Sequence, residues 1–153
     1  MNKSTQSISI LMADDDADDC LLIQRALAKS RIASELRRVE DGEELMDYLF
    51  QRGKFAAPGA APRPELILLD LNMPRKDGRE ALGEIKSNPQ LRCIPVVVLT
   101  TSRAEEDIYR SYNLGANSYI TKPVTFERLV ELMDVLGTYW ADVVELPETH
   151  RAP

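Results

Sequence analysis

The chain has 153 residues, of which 44% are hydrophobic, and its formal net charge is −6. A chain of this length usually forms one domain, and this hydrophobic content excludes disorder as the main state. The acidic balance gives no basic footprint for nucleic acid, and no apolar run approaches the roughly 18 residues of a membrane-spanning helix. Residues 1–7 are polar and lack the apolar centre of a signal peptide, so we expect a disordered N-terminus and a cytoplasmic protein.

Short apolar runs alternate along the chain with longer segments of helical periodicity. The run 94–100 is rich in β-branched residues and does not alternate with polar ones, which is typical of a strand covered on both faces. Five successive strand–helix units predict one parallel sheet with helices on both faces. The predicted strands are 8–13, 35–39, 66–70, 94–100 and 117–121, and the predicted helices are about 17–29, 43–51, 79–87, 102–115 and 125–136.

Two segments carry local signals for the way these elements connect. The sequence Ser102-Arg-Ala-Glu105 matches a capping box at the start of the fourth helix, and Gly115 suits the C-terminal cap of the same helix. The prolines and glycines of residues 53–64 oppose regular structure, so we expect a mobile connector there rather than a binding loop.

Polar side chains follow four of the predicted strands. Asp14 and Asp15 come after the first strand, Asp70 ends the third, Thr100 ends the fourth and Lys122 follows the fifth. The carboxyl ends of parallel strands share the sheet edge at which ligands of open α/β sheets bind. Carboxylates suit Mg²⁺, whereas a hydroxyl and an ammonium suit phosphoryl oxygens. The pattern therefore predicts a site for a divalent cation and a phosphoryl group.

The acidic residues of this cluster admit more than one role. Asp70 can act as a metal ligand, as a general base or as a nucleophile that forms an acyl phosphate. Asp16, Asp18 and Asp19 are expected to complement the dipole at the start of the first helix. The preceding pair Asp14-Asp15 can serve the same purpose or can bind the cation, and the residues alone leave both roles open.

Taken together, these motifs resemble the receiver domain of response regulators in bacterial two-component systems. The matching segments are Asp14-Asp15, residues 69–74 with Asp77-Gly78, residues 95–100 and residues 119–123. The resemblance covers residues 8–136 and implies a flavodoxin-like fold, an α/β architecture with a doubly wound five-stranded parallel sheet in the order 2-1-3-4-5. Residues 137–153 then form an extension that is too short to fold as a domain of its own.

The resemblance implies a Mg²⁺ site built from four residues. Asp15 and Asp70 would bind the ion directly, together with the backbone carbonyl of Asn72, and Asp14 would act mainly through water.

The resemblance also assigns the phosphoryl chemistry and the switch. Asp70 would be the phospho-acceptor, and Thr100 and Lys122 would hold the phosphoryl group. Tyr119 would turn inward when Thr100 moves toward the phosphate, and the peptide bond before Pro123 would be cis.

Three further positions bear on the lifetime of the phosphate. Asn72 and Ser102 lie at positions that, in the family, tune how fast water hydrolyses the acyl phosphate. Thr101 departs from the family pattern, in which Ala or Gly is common, and its bulk leaves the donor preference and the phosphate lifetime open.

A finer resemblance is to the single-domain regulators that serve bacterial phytochromes, and it is carried by residues 61–64, 85–89, 99–102, 139–140 and 145–147. It implies a stand-alone regulator that takes phosphate from a sensor histidine kinase, here a phytochrome. Such a protein signals by binding a partner or passes phosphate to a histidine phosphotransfer protein.

The alternative functions are an adaptor that is never phosphorylated and an aspartate-nucleophile phosphatase. Asn72 opposes the phosphatase, because such enzymes carry a second acid at that position, so we expect no separate enzyme activity.

The fifth helix is more apolar than one core face requires. Val135 and Tyr139 belong to a second apolar stripe, and Tyr109 and Tyr112 add apolar surface to the fourth helix. We expect a homodimer through the fourth helix, the fifth strand and the fifth helix, with the C-terminal segment contributing. The alternative is that Trp140 folds back over its own domain.

Overall fold

The computed structural model describes residues 7–147, and the N-terminal segment expected to be disordered lies almost wholly outside that range. The strands are β1 (Ile8–Ala13), β2 (Ser34–Val39), β3 (Leu66–Leu69), β4 (Val96–Thr100) and β5 (Ser118–Thr121). They form one parallel sheet in the order β2-β1-β3-β4-β5. The predicted fold and strand order are therefore confirmed.

Five α-helices connect and cover the strands, and four of them begin at a side-chain cap. The helices are α1 (Ala17–Lys29), α2 (Gly42–Phe50), α3 (Gly78–Ser87), α4 (Glu105–Leu114) and α5 (Phe126–Gly137). Asp16, Asp41, Asp77 and Thr125 each accept a backbone N–H of the first turn of the helix that follows. No helix within residues 7–147 is long and apolar enough to cross a membrane.

The start of α4 differs from the sequence prediction, and the predicted capping box is wrong. The N-cap residue is Ala104, whose side chain has no hydrogen-bond acceptor. The Ser102 hydroxyl instead accepts the Ala104 N–H at 3.3 Å and donates to Asp107 Oδ2 at 2.7 Å. A capping box requires its serine at the N-cap position itself. The other end of α4 is as predicted, because Gly115 caps it with a φ of 112°.

The sheet separates two apolar layers. Side chains of successive strand residues point to opposite faces, so Leu68 packs with α1 and α5 whereas its neighbour Leu69 packs with α2 and α3. β3 and β4 are buried on both faces, which explains their unbroken apolar sequences. All four residues of β5, at one edge of the sheet, are half-buried.

The chain continues beyond α5 as a short π-helical segment, Thr138–Val143. Trp140 on this segment is buried in the apolar layer that contains α1 and α5. Gly137 lets the segment approach the loop between α1 and β2, since a Cβ at this position would lie 3.2 Å from the Cβ of Ile32. Trp140 thus folds back over its own domain, which is the alternative that the sequence left open.

The segment 53–64 is more ordered than its glycines and prolines predict. Gly53–Phe55 forms a turn of 3₁₀ helix, and the ring of Phe55 packs edge-on against Tyr48 of α2. The Tyr48 hydroxyl donates to the Pro62 carbonyl at 2.8 Å, and the Gln51 amide donates to the Ala61 carbonyl at 3.0 Å. These contacts anchor the segment to α2, so the expectation of irregular structure throughout is wrong.

Candidate functional site

The polar groups that follow the strands meet at one edge of the sheet. The Thr100 hydroxyl donates to Asp70 Oδ1 at 2.8 Å, and Lys122 Nζ lies 3.3 Å from Asp70 Oδ2. Lys122 Nζ also lies 2.7 Å from Asp14 Oδ2. The sequence predicted this cluster from four separate strand ends, and the parallel sheet brings those ends together.

Backbone hydrogen bonds fix the position of Asp70. Its N–H donates to the Ala13 carbonyl at 3.0 Å, which extends the pairing of β1 and β3 by one residue. The Gly78 N–H donates to the Leu71 carbonyl at 2.9 Å, so the first turn of α3 returns to the same strand end. A Cβ at Gly78 would lie 2.1 Å from the Asp70 carbonyl oxygen. Only a residue without a side chain permits this approach.

Three carboxylates are close enough to share one cation. Asp14, Asp15 and Asp70 each offer an oxygen within 4.8 Å of the others; Asp14 and Asp70 are buried and Asp15 is exposed. Carboxylate oxygens are the ligands that hard divalent cations prefer, and a neighbouring exposed position suits the water that such ions retain. The donor set therefore fits a divalent metal ion. The Asn72 N–H donates to Asp70 Oδ1 at 3.3 Å, which keeps this exposed residue beside the cluster.

Burial and charge act against each other in this cluster. Burial raises the pKa of Asp14, and the hydrogen bond from Lys122 only partly offsets that effect. For Lys122, burial alone would lower the pKa, but hydrogen bonds to Asp14 and Asp19, together with the charges of Asp70 and Asp14, outweigh burial and raise the pKa above its usual value. Lys122 is therefore a fixed positive charge, as phosphate binding by a lysine requires.

Asp19 is a member of this site that the sequence reasoning missed. Its Oδ2 lies 2.8 Å from Lys122 Nζ, whereas the sequence assigned it, with Asp16 and Asp18, to the helix start. Asp16 alone caps the helix, because its carboxylate accepts the backbone N–H groups of Asp18 and Asp19. Asp19 lies within α1, so its contact with Lys122 depends on how this helix packs against the sheet, and the local sequence pattern carries no signal for it.

The predicted switch residue lies beside the loop that follows β4. Tyr119 is half-buried, and its hydroxyl donates to the Ser102 carbonyl at 3.0 Å. Thr101 in the same loop is exposed. The prediction of a cis bond before Pro123 is wrong, since no peptide bond within residues 7–147 is cis. Trans is the commoner isomer even before proline. The residue that precedes Pro123 is Lys122, and its backbone N–H donates to the Thr100 carbonyl at 2.8 Å.

Comparisons with known proteins agree with this geometry. A family model of the response regulator receiver domain matches residues 10–134. The response regulator Rcp1 of Synechocystis sp. is 46% identical over 138 residues, which is 90% of this chain and 92% of Rcp1. The Mn²⁺-bound structure of Rcp1 aligns with a TM-score of 0.84 and 45% identity over 92% of this chain and 99% of that chain.

Two further solved structures come from phytochrome systems. The phosphorylated cyanobacterial phytochrome response regulator RcpA aligns with a TM-score of 0.85 and 46% identity, over 94% of this chain and all (100%) of that chain. The bacteriophytochrome response regulator RtBRR aligns with a TM-score of 0.73 and 42% identity, over 93% of this chain and 85% of that chain. The likeness to all three proteins extends over nearly the whole chain.

Proposed function

Because the chain belongs to the response regulator receiver family, we propose that it is a stand-alone regulator that accepts a phosphoryl group on Asp70 from a sensor histidine kinase in the cytoplasm. Its likeness to RcpA and RtBRR supports a phytochrome as that kinase. In this proposal residues 8–136 are the receiver unit, and residues 137–153 are an extension without a domain of its own. The observation that carries the proposal is the convergence of Thr100 and Lys122 on the carboxylate of Asp70.

The proposed reaction is a transfer between nitrogen and oxygen. An Asp70 carboxylate oxygen attacks the phosphorus of a phosphohistidine, the P–N bond breaks, and the imidazole leaves with the bonding electron pair. Lys122 holds one phosphoryl oxygen by its charge, and the Thr100 hydroxyl turns from Asp70 to donate to another. Phosphorylation then shifts the population of two receiver conformations, with Thr100 and Tyr119 as the moving side chains.

The proposal includes Mg²⁺ as the cation. Asp15, Asp70 and the backbone carbonyl of Asn72 would hold it directly, with Asp14 bonded through water. When bound, the cation screens the negative charge of the donor phosphate from the attacking carboxylate. Three carboxylates within one ion's reach support this assignment.

Two competing functions have less support. A pure adaptor would not need an intact set of Asp14, Asp70, Thr100 and Lys122 in mutual contact. A phosphatase would need a second acid to protonate the leaving group, and Asn72 stands where such enzymes carry it. We therefore propose no separate enzyme activity beyond the protein's own phosphorylation and dephosphorylation. The site is compatible with two outputs: binding of a partner protein, and relay of the phosphoryl group to a histidine phosphotransfer protein.

We also propose a homodimer through α4, β5 and α5. Exposed apolar side chains support it on both helices that flank the β5 edge: Tyr109 and Tyr112 on α4, and Val135 on α5. Tyr139, on the segment after α5, is exposed as well. A surface of this kind is typical of protein interfaces.

Intact-protein mass spectrometry after incubation with acetyl phosphate and Mg²⁺ tests the phosphorylation. We expect one phosphoryl group on the wild type, none on Asp70→Asn, and none on the wild type when EDTA removes the metal. Asp18→Asn is the matched control, because it removes an exposed acid from the first turn of α1, close in sequence to Asp14 and Asp15. Equal phosphorylation of Asp70→Asn, or none of the wild type with either acetyl phosphate or a phosphorylated phytochrome kinase, would contradict the proposal.

A further inference from the structure

A polar network outside the metal and phosphoryl site joins α3 to α4. Arg79 Nε donates to Asp107 Oδ1 at 2.9 Å, and Arg79 Nη2 donates to Asp107 Oδ2 at 2.8 Å. The two side chains are only 18% and 17% exposed. Paired hydrogen bonds of this geometry are among the strongest that side chains make. Hydrogen bonds from Arg79 and Ser102 also hold the pKa of Asp107 below its usual value, so the carboxylate stays charged.

At its first end the network reaches the residue after the phospho-acceptor. Arg79 Nη1 lies 3.4 Å from the Leu71 carbonyl oxygen, which also accepts the Gly78 N–H. Leu71 directly follows Asp70. The guanidinium is therefore positioned against the same strand end that carries the site.

At its second end the network holds the loop between β4 and α4. The Ser102 hydroxyl donates to Asp107 Oδ2 at 2.7 Å, and the Tyr119 hydroxyl donates to the Ser102 carbonyl at 3.0 Å. Ser102 stands two residues after Thr100. The network thus connects the strand end of Asp70, the loop that follows Thr100, and the side chain of Tyr119.

We propose that Arg79 and Asp107 are positioning residues that hold the β4–α4 loop in its resting arrangement, and that Ser102 must leave Asp107 for the site to close on a phosphoryl group. This inference rests on the proposed function. The Ser102 hydroxyl is held on Asp107 Oδ2, so the loop that follows Thr100 cannot move toward a phosphoryl group on Asp70 until this hydrogen bond breaks. Likewise, Tyr119 cannot turn while its hydroxyl remains on the Ser102 carbonyl.

Linkage gives the direction of the effect. A ligand shifts a two-state equilibrium by its differential affinity for the two states, and a mutation that destabilises the resting state raises the apparent affinity for that ligand. Weakening the contact between Asp107 and Ser102 therefore tightens the binding of a phosphoryl mimic. A network that only stabilises the fold would not have this consequence.

Beryllofluoride with Mg²⁺, titrated while amide chemical shifts are recorded by NMR, tests the inference. We expect Asp107→Asn to bind beryllofluoride at least threefold more tightly than the wild type, and Arg79→Lys to change in the same direction because it keeps the charge but loses the paired geometry. The control is Glu106→Gln, which removes an exposed acid from the same helical turn. A second readout is the Tyr119 ring resonance without beryllofluoride, which should move toward its bound position in Asp107→Asn and in Arg79→Lys but not in Glu106→Gln.

The outcomes separate this inference from the proposed function. If the wild type fails to bind beryllofluoride, the proposed function fails. If the wild type binds it, and folded Asp107→Asn and Arg79→Lys bind it no more tightly than Glu106→Gln, the network is merely structural and the inference is overturned. Should Asp107→Asn not fold, Arg79→Lys alone decides the question by the same comparison.

Discussion

At the scale of single residues, the three N–H donors of Lys122 are divided among three carboxylates. Its Nζ lies 2.7 Å from Asp14, 2.8 Å from Asp19 and 3.3 Å from Asp70. The longest of these three contacts is the one to the proposed phospho-acceptor. An incoming phosphoryl group must therefore draw the ammonium away from partners that already hold it.

Replacing Asp19 by asparagine should make Lys122 more available. Asp19 is 35% exposed, so solvent screens this ion pair and its contribution is about 1 kcal/mol or less. We expect Asp19→Asn to be phosphorylated by acetyl phosphate about two- to fivefold faster than the wild type, as measured by the rate of mass increase. Asp18→Asn, one residue away and exposed, should keep the wild-type rate. Slower phosphorylation of Asp19→Asn would mean that Asp19 orients Lys122 productively instead.

The sequence predicted some members of this cluster and missed others for a physical reason. Asp14, Asp70, Thr100 and Lys122 all follow strands, and strand ends of a parallel sheet meet wherever the strand order allows. Asp19 lies inside a helix, so its contact with Lys122 depends on how α1 is seated on the sheet. That information resides in packing and not in local pattern.

At the scale of elements, the seating of α3 against β3 determines where the Asp70 backbone lies. A Cβ at Gly78 would stand 2.1 Å from the Asp70 carbonyl oxygen and 2.7 Å from the Leu71 Cα. Both are backbone atoms, which cannot rotate away as the end of a side chain can. The helix and the strand end must therefore separate if residue 78 gains a side chain.

Gly78→Ala should destabilise the protein even though alanine favours helices. Overpacking typically costs about 1–3 kcal/mol, and we expect a loss near the upper end of that range in urea unfolding. The matched control is Gly83→Ala in the same helix, where the nearest atom to the new Cβ is Leu114 Cδ2 at 3.7 Å. That variant should gain up to about 1 kcal/mol from helix propensity. Equal stability of the two variants would contradict this account of the α3 contact.

Element boundaries show where sequence patterns are sufficient. β1 and α1 match their predicted ranges because a short apolar run and an aspartate cap specify them locally. The start of α4 was predicted wrongly because the serine that resembles a cap bonds Asp107, whose orientation is fixed by Arg79 from another helix. A competing tertiary partner of this kind leaves no local signature.

At the scale of the whole molecule, the apolar residues of α5 and its extension divide between core and surface. Trp140 is buried in its own domain, whereas Val135 and Tyr139 remain exposed. The sequence showed more apolar residues than one core face needs, but it did not show which of them are buried. The reason is that the π-helical segment Thr138–Val143 changes the face on which later residues lie. A dimer would therefore be formed by the exposed residues and not by Trp140.

The proposed dimer can be broken by single charges at its centre. Tyr109 is 75% exposed and Val135 is 64% exposed, so a lysine at either position is tolerated by the monomer. In a stable interface each partner buries about 800 Å², and an unpaired charge there opposes association because it must lose its hydration. We expect the wild type to sediment as a dimer at tens of micromolar, and Tyr109→Lys and Val135→Lys to sediment as monomers with unchanged thermal unfolding.

Leu21→Lys provides the matched control, because Leu21 is an exposed apolar residue on α1, which is not one of the elements of the proposed interface. It should sediment as the wild type does if the interface lies where we propose. Dissociation by Leu21→Lys but not by Tyr109→Lys would move the interface to α1. A wild type that stays monomeric at tens of micromolar, both with and without beryllofluoride, would contradict the dimer. The apolar faces beside β5 would then be available for a different protein, and the regulator would act by docking as a monomer.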